Sequence, residues 1–384
     1  MIYLDHAAAT PVSAKVLQAM EPYFREKFFN PSAAYLPAKE VSAKYEEAKN
    51  TIAHAIGAKG NDLVMTAGAT EANNLGFTVL EPGDKALVLE TEHDSVRRII
   101  TQNRQFSTRS HGEFIGVDET GRIRLEDLRD KLDDSVKLIS VSLANNELGI
   151  IQPLAEIAEI IREVRFDRLR RGVKRPILFH TDASQALNLL NINVARLGVD
   201  MMTINAAKVY GPKGVGALYV GHEVRLSPLS VGGGQEKGLR AGTENVPGVI
   251  GFATAITEAQ SHLNGNRKKY AKWKKLFLDN LNDYTLINRG KTLDNFIVIC
   301  YDGLDAERLI FLLEERGVYV ATGAACAASK GVGSHVLAAI HLSASKIAGS
   351  LRITLGETND ETQIIEAAKI INEVVDAERK RVNG

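Results

Sequence analysis

Between about residue 50 and residue 220 the chain alternates short apolar runs with stretches whose apolar residues lie three or four apart. The runs "DLVMT", "KALVLE", "VKLISVSL", "PILFHTD" and "DMMTIN" are rich in Val, Ile, Leu and Met and predict buried strands. The intervening "SVRRIITQNR" and "LAEIAEIIREVRFDRL" carry the period of helices with one apolar face. Alternating strands and helices predict an α/β unit. Its sheet is expected to be mostly parallel and covered on both faces, because each parallel crossover lays a helix over it. In such sheets ligands collect beyond the carboxyl ends of the strands. Chemistry is therefore expected in the residues just past each apolar run.

From about residue 257 the pattern changes. A helical stretch with Trp273 leads into "NFIVICYDG", "RLIFLLEERGVYVATG" and "GSLRITLG". A final amphipathic helix starts after "TNDETQ", which supplies capping residues. These features predict a second, smaller α+β domain, as a length of 384 residues already suggests. The basic stretch "REVRFDRLRRGVKR" (162–175) reads as a solvated helix end and loop, with a partner-docking patch as the alternative.

Composition narrows the function classes. A hydrophobic content of 45% and a charged content of 24% fit a soluble globular protein. Equal numbers of basic and acidic residues, 47 each, argue against a nucleic-acid or anionic-membrane surface. No apolar run approaches the ~20 residues of a membrane span, and "MIYLDHAAATP" lacks the features of a signal peptide. Two cysteines, Cys300 and Cys326, are too few for a disulfide framework or a multi-thiolate metal site. The expectation is a reduced, cytoplasmic enzyme without a metal.

The strand ends carry the candidate chemistry. "LVMTAGATEANN" leaves a strand, crosses Ala67-Gly68-Ala69-Thr70 and enters a helix, a turn whose free N–H groups suit a phosphate. "KALVLETEHDSVRR" places His93 at a helix start, where a histidine is more often a cap than a catalyst. "LISVSLANNELGIIQP" places Asn145 and Asn146 past another strand, where amides serve turns or ligands. "PILFHTDASQA" puts Asp182 directly after a strand, with Gln185 one turn on. A buried carboxylate needs a donor or a cation, and a protonated pyridine nitrogen is one such partner. In "NAAKVYGPKG", Lys213 sits in a Gly-Pro-Lys-Gly turn and reads as an exposed turn residue, whereas Lys208 ends an apolar run. A strand-end Asp, a strand-end Lys and an upstream Gly-Ala-Thr turn form the set that pyridoxal phosphate requires: pyridinium partner, Schiff-base lysine and phosphate site.

From end to end the chain resembles the cysteine desulfurases, in the branch with a long catalytic-cysteine loop. The resemblance rests on "YLDHAAATP", "NPSAAY", "TAGATEANN", "TEHDSV", "ANNELGIIQP", "HTDASQA", "AAKVYGPKGVGALYV", "GGGQEKGLRAGTENV", "ATGAACAAS" and "GSLRITLG", in the family's order. It implies a fold type I pyridoxal phosphate enzyme, with a seven-stranded-type, mostly parallel sheet between helices in a large domain (14–256). A small domain (1–13 and 257–384) would carry the catalytic-cysteine loop. It also implies a homodimer with sites at the subunit interface. Lys208 would be the Schiff-base lysine and the base for the substrate Cα proton. Asp182 would pair with the pyridine nitrogen, Gln185 would donate to the ring oxygen, and His93 would stack on the ring and handle protons. Ala69 and Thr70 match the phosphate turn, and Thr243 matches the residue that reaches the phosphate from the partner subunit. Arg352 matches the clamp for the substrate carboxylate, and Asn146 the asparagine near the ring oxygen and that carboxylate. Cys326 would be the nucleophile that takes sulfur from L-cysteine as a persulfide, leaving L-alanine. Cys300 in "FIVICY" instead reads as a buried strand residue. The sulfur would pass to an acceptor protein, either an iron–sulfur scaffold or a tRNA-thiolation protein.

The chain departs from the family in places. Asn205-Ala206-Ala207-Lys208 stands where the family has Ser-x-His-Lys, which removes a phosphate donor at Ala207 and leaves Asn205 to donate from its amide. Ala33 and Tyr35 replace a serine and a histidine, and Ala324 replaces a serine before Cys326. The segment from Asn146 to Asp182 is longer than usual, and the basic stretch is the excess. Two rivals stay in view. A selenocysteine lyase or another pyridoxal lyase would share the scaffold but could dispense with Cys326. A poorly active, partner-dependent scaffold would account for the lost phosphate ligands.

Overall fold

The computed structural model describes residues 1–102, 110–322 and 333–383. Seven strands form the central sheet: β2 (Leu63–Thr66), β3 (Lys85–Leu89), β4 (His111–Ile115), β5 (Val136–Ser140), β6 (Leu178–Asp182), β7 (Met201–Asn205) and β8 (Gly216–Val220). Their spatial order is β2-β8-β7-β6-β5-β3-β4. The run from β7 to β4 is parallel, and β8 alone enters antiparallel to both of its neighbours. The five apolar runs read from the sequence are β2, β3, β5, β6 and β7. Successive side chains go to opposite faces: Leu87 and Leu89 join one core with Ile52, Ile139 and Phe179, while Ala86 and Val88 join a second with Leu75 and Leu138. Two-sided burial is why these strands read as continuous apolar runs rather than alternating ones.

A four-stranded antiparallel sheet lies beyond it, in the order β12 (Ala321–Thr322), β13 (Ser350–Thr354), β10 (Phe296–Cys300), β9 (Thr285–Leu286). A parallel pair joins β1 (Ile2–Tyr3) to β11 (Val318–Tyr319). The 34-residue helix Val246–Asp279 runs without a break through residues 256 and 257. The final helix, Glu361–Asn383, starts on the Asp360 carboxylate, which accepts from Gln363 N at 2.8 Å.

The basic stretch is mostly exposed at the end of the helix Leu154–Arg171 and in the loop after it, as expected, but some of its arginines also brace the sheet. Arg168 is only 2% exposed and donates to the carbonyls of Val136, Asp133 and Arg175. Arg165 pairs with Asp200, Arg171 with Asp134 and Arg175 with Asp84. The carbonyls and carboxylates at the sheet's amino-terminal edge need donors, and these long side chains supply them. Arg165, Arg168 and Arg175 thus act as a structural clamp, while Arg162, Arg170, Arg171 and Lys174 are exposed. Lys213 is exposed in its turn, as expected.

Residues 2–10 tie the small sheet to the central one. β1 docks on β11, Leu4 N donates to Tyr319 O and accepts at its carbonyl from Thr354 N, and Thr10 N donates to Ala207 O. This segment crosses the molecule from the small sheet to the turn that carries Lys208.

Candidate active site

A cleft of about 1060 Å³ opens beyond the carboxyl ends of the central strands. Lys208, Asp182, His93, Asn146, Gln185 and Arg352 all line it, as do Ala69, Thr70 and Asn205. Two further residues named from the sequence are not among the residues lining the cleft. Thr243 is exposed and does not line the cleft of its own chain, and Cys326, with Ala324, lies outside the described residues. Cys300 is buried in β10, its thiol on Lys346 O at 3.3 Å, and burial pushes its pKa up.

The helix Ala69–Phe77 begins at the cleft. Its first residue comes after Gly68, whose φ of +146° no ordinary side chain adopts readily, and the helix start has no side-chain cap. Gly216 lets β8 press against this turn, since a Cβ there would meet the Gly68 Cα at 2.9 Å. The turn is fastened by Glu71, which accepts from Ala67 N at 2.7 Å and from Arg240 Nε at 3.1 Å.

Asp182 ends β6, where Ser184 N and Asn73 Nδ2 each donate to its carboxylate at 2.9 Å. The same Asn73 amide donates to Ser95 Oγ at 2.9 Å, and Ser95 contacts His93 Nδ1 through both Oγ, at 2.9 Å, and its backbone N–H, at 3.0 Å. Because the backbone N–H must donate, Nδ1 is the accepting nitrogen and the imidazole proton belongs on Nε2. His93 is thus a helix cap and a cleft residue at once. Burial holds its pKa below the ordinary value, against the opposite pull of Asp182 and Asp94, so it stays neutral at neutral pH.

Lys208 closes a short turn, Ala206–Lys208, that Asn205 caps by accepting from Ala207 N at 3.2 Å. Its ammonium donates to Ala7 O at 2.8 Å and to Ala8 O. Gln185 Nε2 also donates to Ala7 O, at 3.0 Å. The two asparagines after β5 divide their duties. Asn145 is buried and holds the turn, accepting from Glu147 N and Leu148 N, whereas Asn146 lines the cleft. Arg352 on β13 donates from Nη1 to Asn146 O at 3.0 Å and from Nη2 to Asp5 at 2.6 Å.

Several residues that line the cleft or stand behind its wall were not singled out from the sequence. Asp5, Ala7 and Ala8 lie in the quoted "YLDHAAATP", and Asn73 in "TAGATEANN", yet no local pattern marks them as site residues. Glu92 and Glu147 are buried in the cleft wall, and burial raises their pKa values to about 8 and about 7. Glu147 accepts from Ser334 at 2.5 Å, and His335 contacts Glu92 O at 3.0 Å, its own pKa lowered by burial to about 4.

The parallel sheet and the cleft at its carboxyl end, with a lysine, an aspartate and an uncapped helix start facing one another, define an α/β enzyme site. The chain belongs to the class-V aminotransferase family, whose family model matches residues 2–366. Within that family it groups with the cysteine desulfurases. It is 35% identical over 385 residues to the putative cysteine desulfurase IscS 1 of Bacillus subtilis (strain 168), covering 97% of this chain and 98% of the relative. It is 37% identical over 367 residues to a cysteine desulfurase IscS of Dictyoglomus turgidum, covering 92% and 89%. Among solved structures, a NifS-like protein superposes with a TM-score of 0.89 at 29% identity, over 98% of this chain and 99% of that one. SspA in complex with cysteine superposes with a TM-score of 0.78 at 30% identity, over 92% and 99%. The resemblance read from the motifs and the expected fold class both hold.

The cleft fits pyridoxal phosphate. The uncapped helix start behind Gly68 offers backbone N–H groups to a dianion, Asp182 presents a carboxylate held by two neutral donors, and Lys208 brings a primary amine into the same cleft.

Proposed function

We propose that the chain is a pyridoxal-phosphate-dependent cysteine desulfurase that converts L-cysteine to L-alanine and places the sulfur on Cys326. The observation that carries this reading is the convergence of Lys208, Asp182 and the Ala69–Phe77 helix start on one cleft, in a chain of this family. Ala69, Thr70 and Asn205 would hold the phosphate, Asp182 the pyridine nitrogen, Gln185 and Asn146 the ring oxygen, and Lys208 the aldehyde carbon. When bound, the cofactor supplies an electron sink for charge that develops at the substrate Cα.

The protein's own groups do the rest. Arg352 binds the substrate carboxylate. Lys208 Nζ takes the proton from Cα, and the carbonyls of Ala7 and Ala8 hold that nitrogen beforehand. His93, neutral and protonated on Nε2, presents a ring face and a movable proton to the cleft. The Cys326 thiolate attacks the substrate sulfur: an S–S bond forms as the Cβ–S bond breaks, and that electron pair stays with the carbon skeleton that leaves as alanine.

The working unit is proposed to be a homodimer in which Thr243 completes the neighbour's phosphate site. The exposed Phe24, Phe28, Tyr35 and Leu36, with Phe28 stacked on Phe29 at 4.7 Å, support it as an apolar patch that a second copy would cover. A sulfur-acceptor protein, either an iron–sulfur scaffold or a tRNA-thiolation protein, would receive the persulfide, and cytoplasmic location is proposed with it. Among the described residues no helix is long and apolar enough to cross a membrane. Division into a large unit (14–256) and a small one (1–13 and 257–384) is likewise proposed, with the Val246–Asp279 helix as their shared spine.

The test is incubation with L-cysteine while alanine, sulfide and the mass of the peptide containing Cys326 are tracked. Alanine with sulfur added at Cys326 is the expected outcome, and both should vanish in Lys208→Ala. Alanine formed equally well by Cys326→Ala, or only from selenocysteine, would favour a lyase, and no product from the cofactor-loaded protein would overturn the reading.

A further inference from the structure

The Arg352 guanidinium is not a bare cation. Its side chain is 7% exposed, its Nη2 donates to Asp5 Oδ1 at 2.6 Å, and its Nη1 donates to Asn146 O at 3.0 Å. Its Nε is buried with no partner among the described residues. Of five N–H donors two are spent and one is walled in, which leaves one hydrogen on each Nη for a ligand. Asp5 is itself held in place. Its backbone bridges to Thr354 beside Arg352, and its carbonyl accepts from Tyr3 OH at 2.8 Å. The next residues, through Ala7 O and Ala8 O, hold the Lys208 ammonium. A carboxylate arriving at Arg352 thus meets a cation already half neutralised by a fixed carboxylate, on a guanidinium that the two must share.

We propose that Asp5 sets the affinity of the site for the substrate carboxylate, holding Arg352 in orientation while offsetting its charge so that a monocarboxylate binds weakly enough to be released as product. This rests on the reading of Arg352 as the carboxylate site. Two carboxylates on one guanidinium repel each other, so removing one strengthens the hold on the other. Asp5→Asn keeps the shape and a hydrogen-bonding oxygen but removes the charge. It tightens binding of anionic ligands and leaves neutral ones alone, a split that a merely structural role does not produce.

The experiment measures binding of L-alanine and of L-alaninamide, which lacks the carboxylate, to the cofactor-loaded protein through the change in cofactor absorbance. For wild type the preference for alanine is modest. In Asp5→Asn alanine binds about three- to tenfold tighter, the share of an ion pair at a partly screened site, while alaninamide is unchanged. Asp5→Glu, which retains the charge, stays near wild type. Weaker alanine binding in Asp5→Asn, or an equal change for both ligands, overturns the proposal. If Asp5→Asn does not fold, Asp5→Ser and the salt dependence of the unmutated protein decide. A nearly neutral Asp5–Arg352 pair leaves alanine binding insensitive to salt, and a steep fall in affinity overturns the proposal. If Arg352→Lys leaves the alanine-to-alaninamide ratio of wild type intact, the reading of Arg352 itself fails, independently of the Asp5 variants.

Discussion

Ala207 lines the cleft with only a methyl group, and the residue two before it cannot fully replace the missing donor. Asn205 spends its amide oxygen on Ala207 N, which holds the turn, so only its NH₂ remains for a phosphate. A hydrogen bond to a charged group contributes roughly 1.5–3 kcal/mol, about tenfold to a hundredfold in affinity. Ala207→His is therefore expected to bind pyridoxal phosphate tighter by that factor when apoprotein is titrated, and equal affinity in the two proteins would sink the idea. Asp182 and Lys208 were legible in the sequence because each lies at or just past the end of a strand and acts through a side chain of distinctive chemistry. Ala7 and Ala8 escaped notice because they act through backbone carbonyls, 201 and 200 residues away from the lysine they hold. Asn73 was missed because it stands behind Asp182 and works only by linking it to Ser95.

At the scale of elements, the segment after β8 is fastened by an unusual pair. Glu236 and Lys237 both have left-handed backbones, with φ of 46° and 59°, a conformation that disfavours non-glycine residues by roughly 1–2 kcal/mol each. Glu236 offsets this by accepting from Lys49 Nζ at 2.9 Å, Tyr45 OH at 2.6 Å and Met65 N at 2.9 Å. Arg240 then returns to Glu71 at the candidate phosphate turn, and Thr243 comes next at the surface. Lys49→Met leaves the Glu236 carboxylate buried without its cation, which is expected to destabilise the protein by about 3–5 kcal/mol. Loosening this segment is also expected to weaken cofactor retention through Thr243. Chemical denaturation with cofactor absorbance as a second probe checks both, and an unchanged midpoint refutes the anchoring role. Strands buried on both faces announced themselves as apolar runs, but β4 did not. It is an edge strand with His111 exposed and Gly112, Glu113 and Phe114 only partly buried, so most of its residues are not held to an apolar identity by a core.

Across the whole molecule, buried acids and bases set opposing limits on stability. Glu92 and Glu147, raised from an ordinary 4.5 to about 8 and about 7, hold protons in the folded state that the unfolded chain has released. Their contribution is complete below about pH 4.5 and is lost as pH rises through those values. His180 and His335, lowered by burial from 6.5 to about 4, act the other way: their contribution is complete above about pH 6.5 and lost as pH falls toward 4. Glu92→Gln, which cannot ionise, is expected to lose less of its melting temperature than wild type between about pH 7 and pH 9, the remaining decline coming from Glu147. Parallel melting curves across that range would remove Glu92 from the account. None of this was legible in the sequence, because burial of those carboxyls depends on Ser142, Ser334 and His335 closing over them from distant segments.

The strap formed by residues 2–10 has a consequence for how the protein comes into being on the ribosome. Its docking partners, Val318, Tyr319, Arg352 and Thr354, are translated more than three hundred residues after it. The central sheet can assemble as it emerges, since domains tend to fold in order of synthesis. Lys208 and Arg352 cannot receive their strap until the last strand has been made. A nascent chain stalled before residue 350 would thus carry a nearly complete sheet and an unfinished cleft, which delays reactive chemistry until translation is almost over.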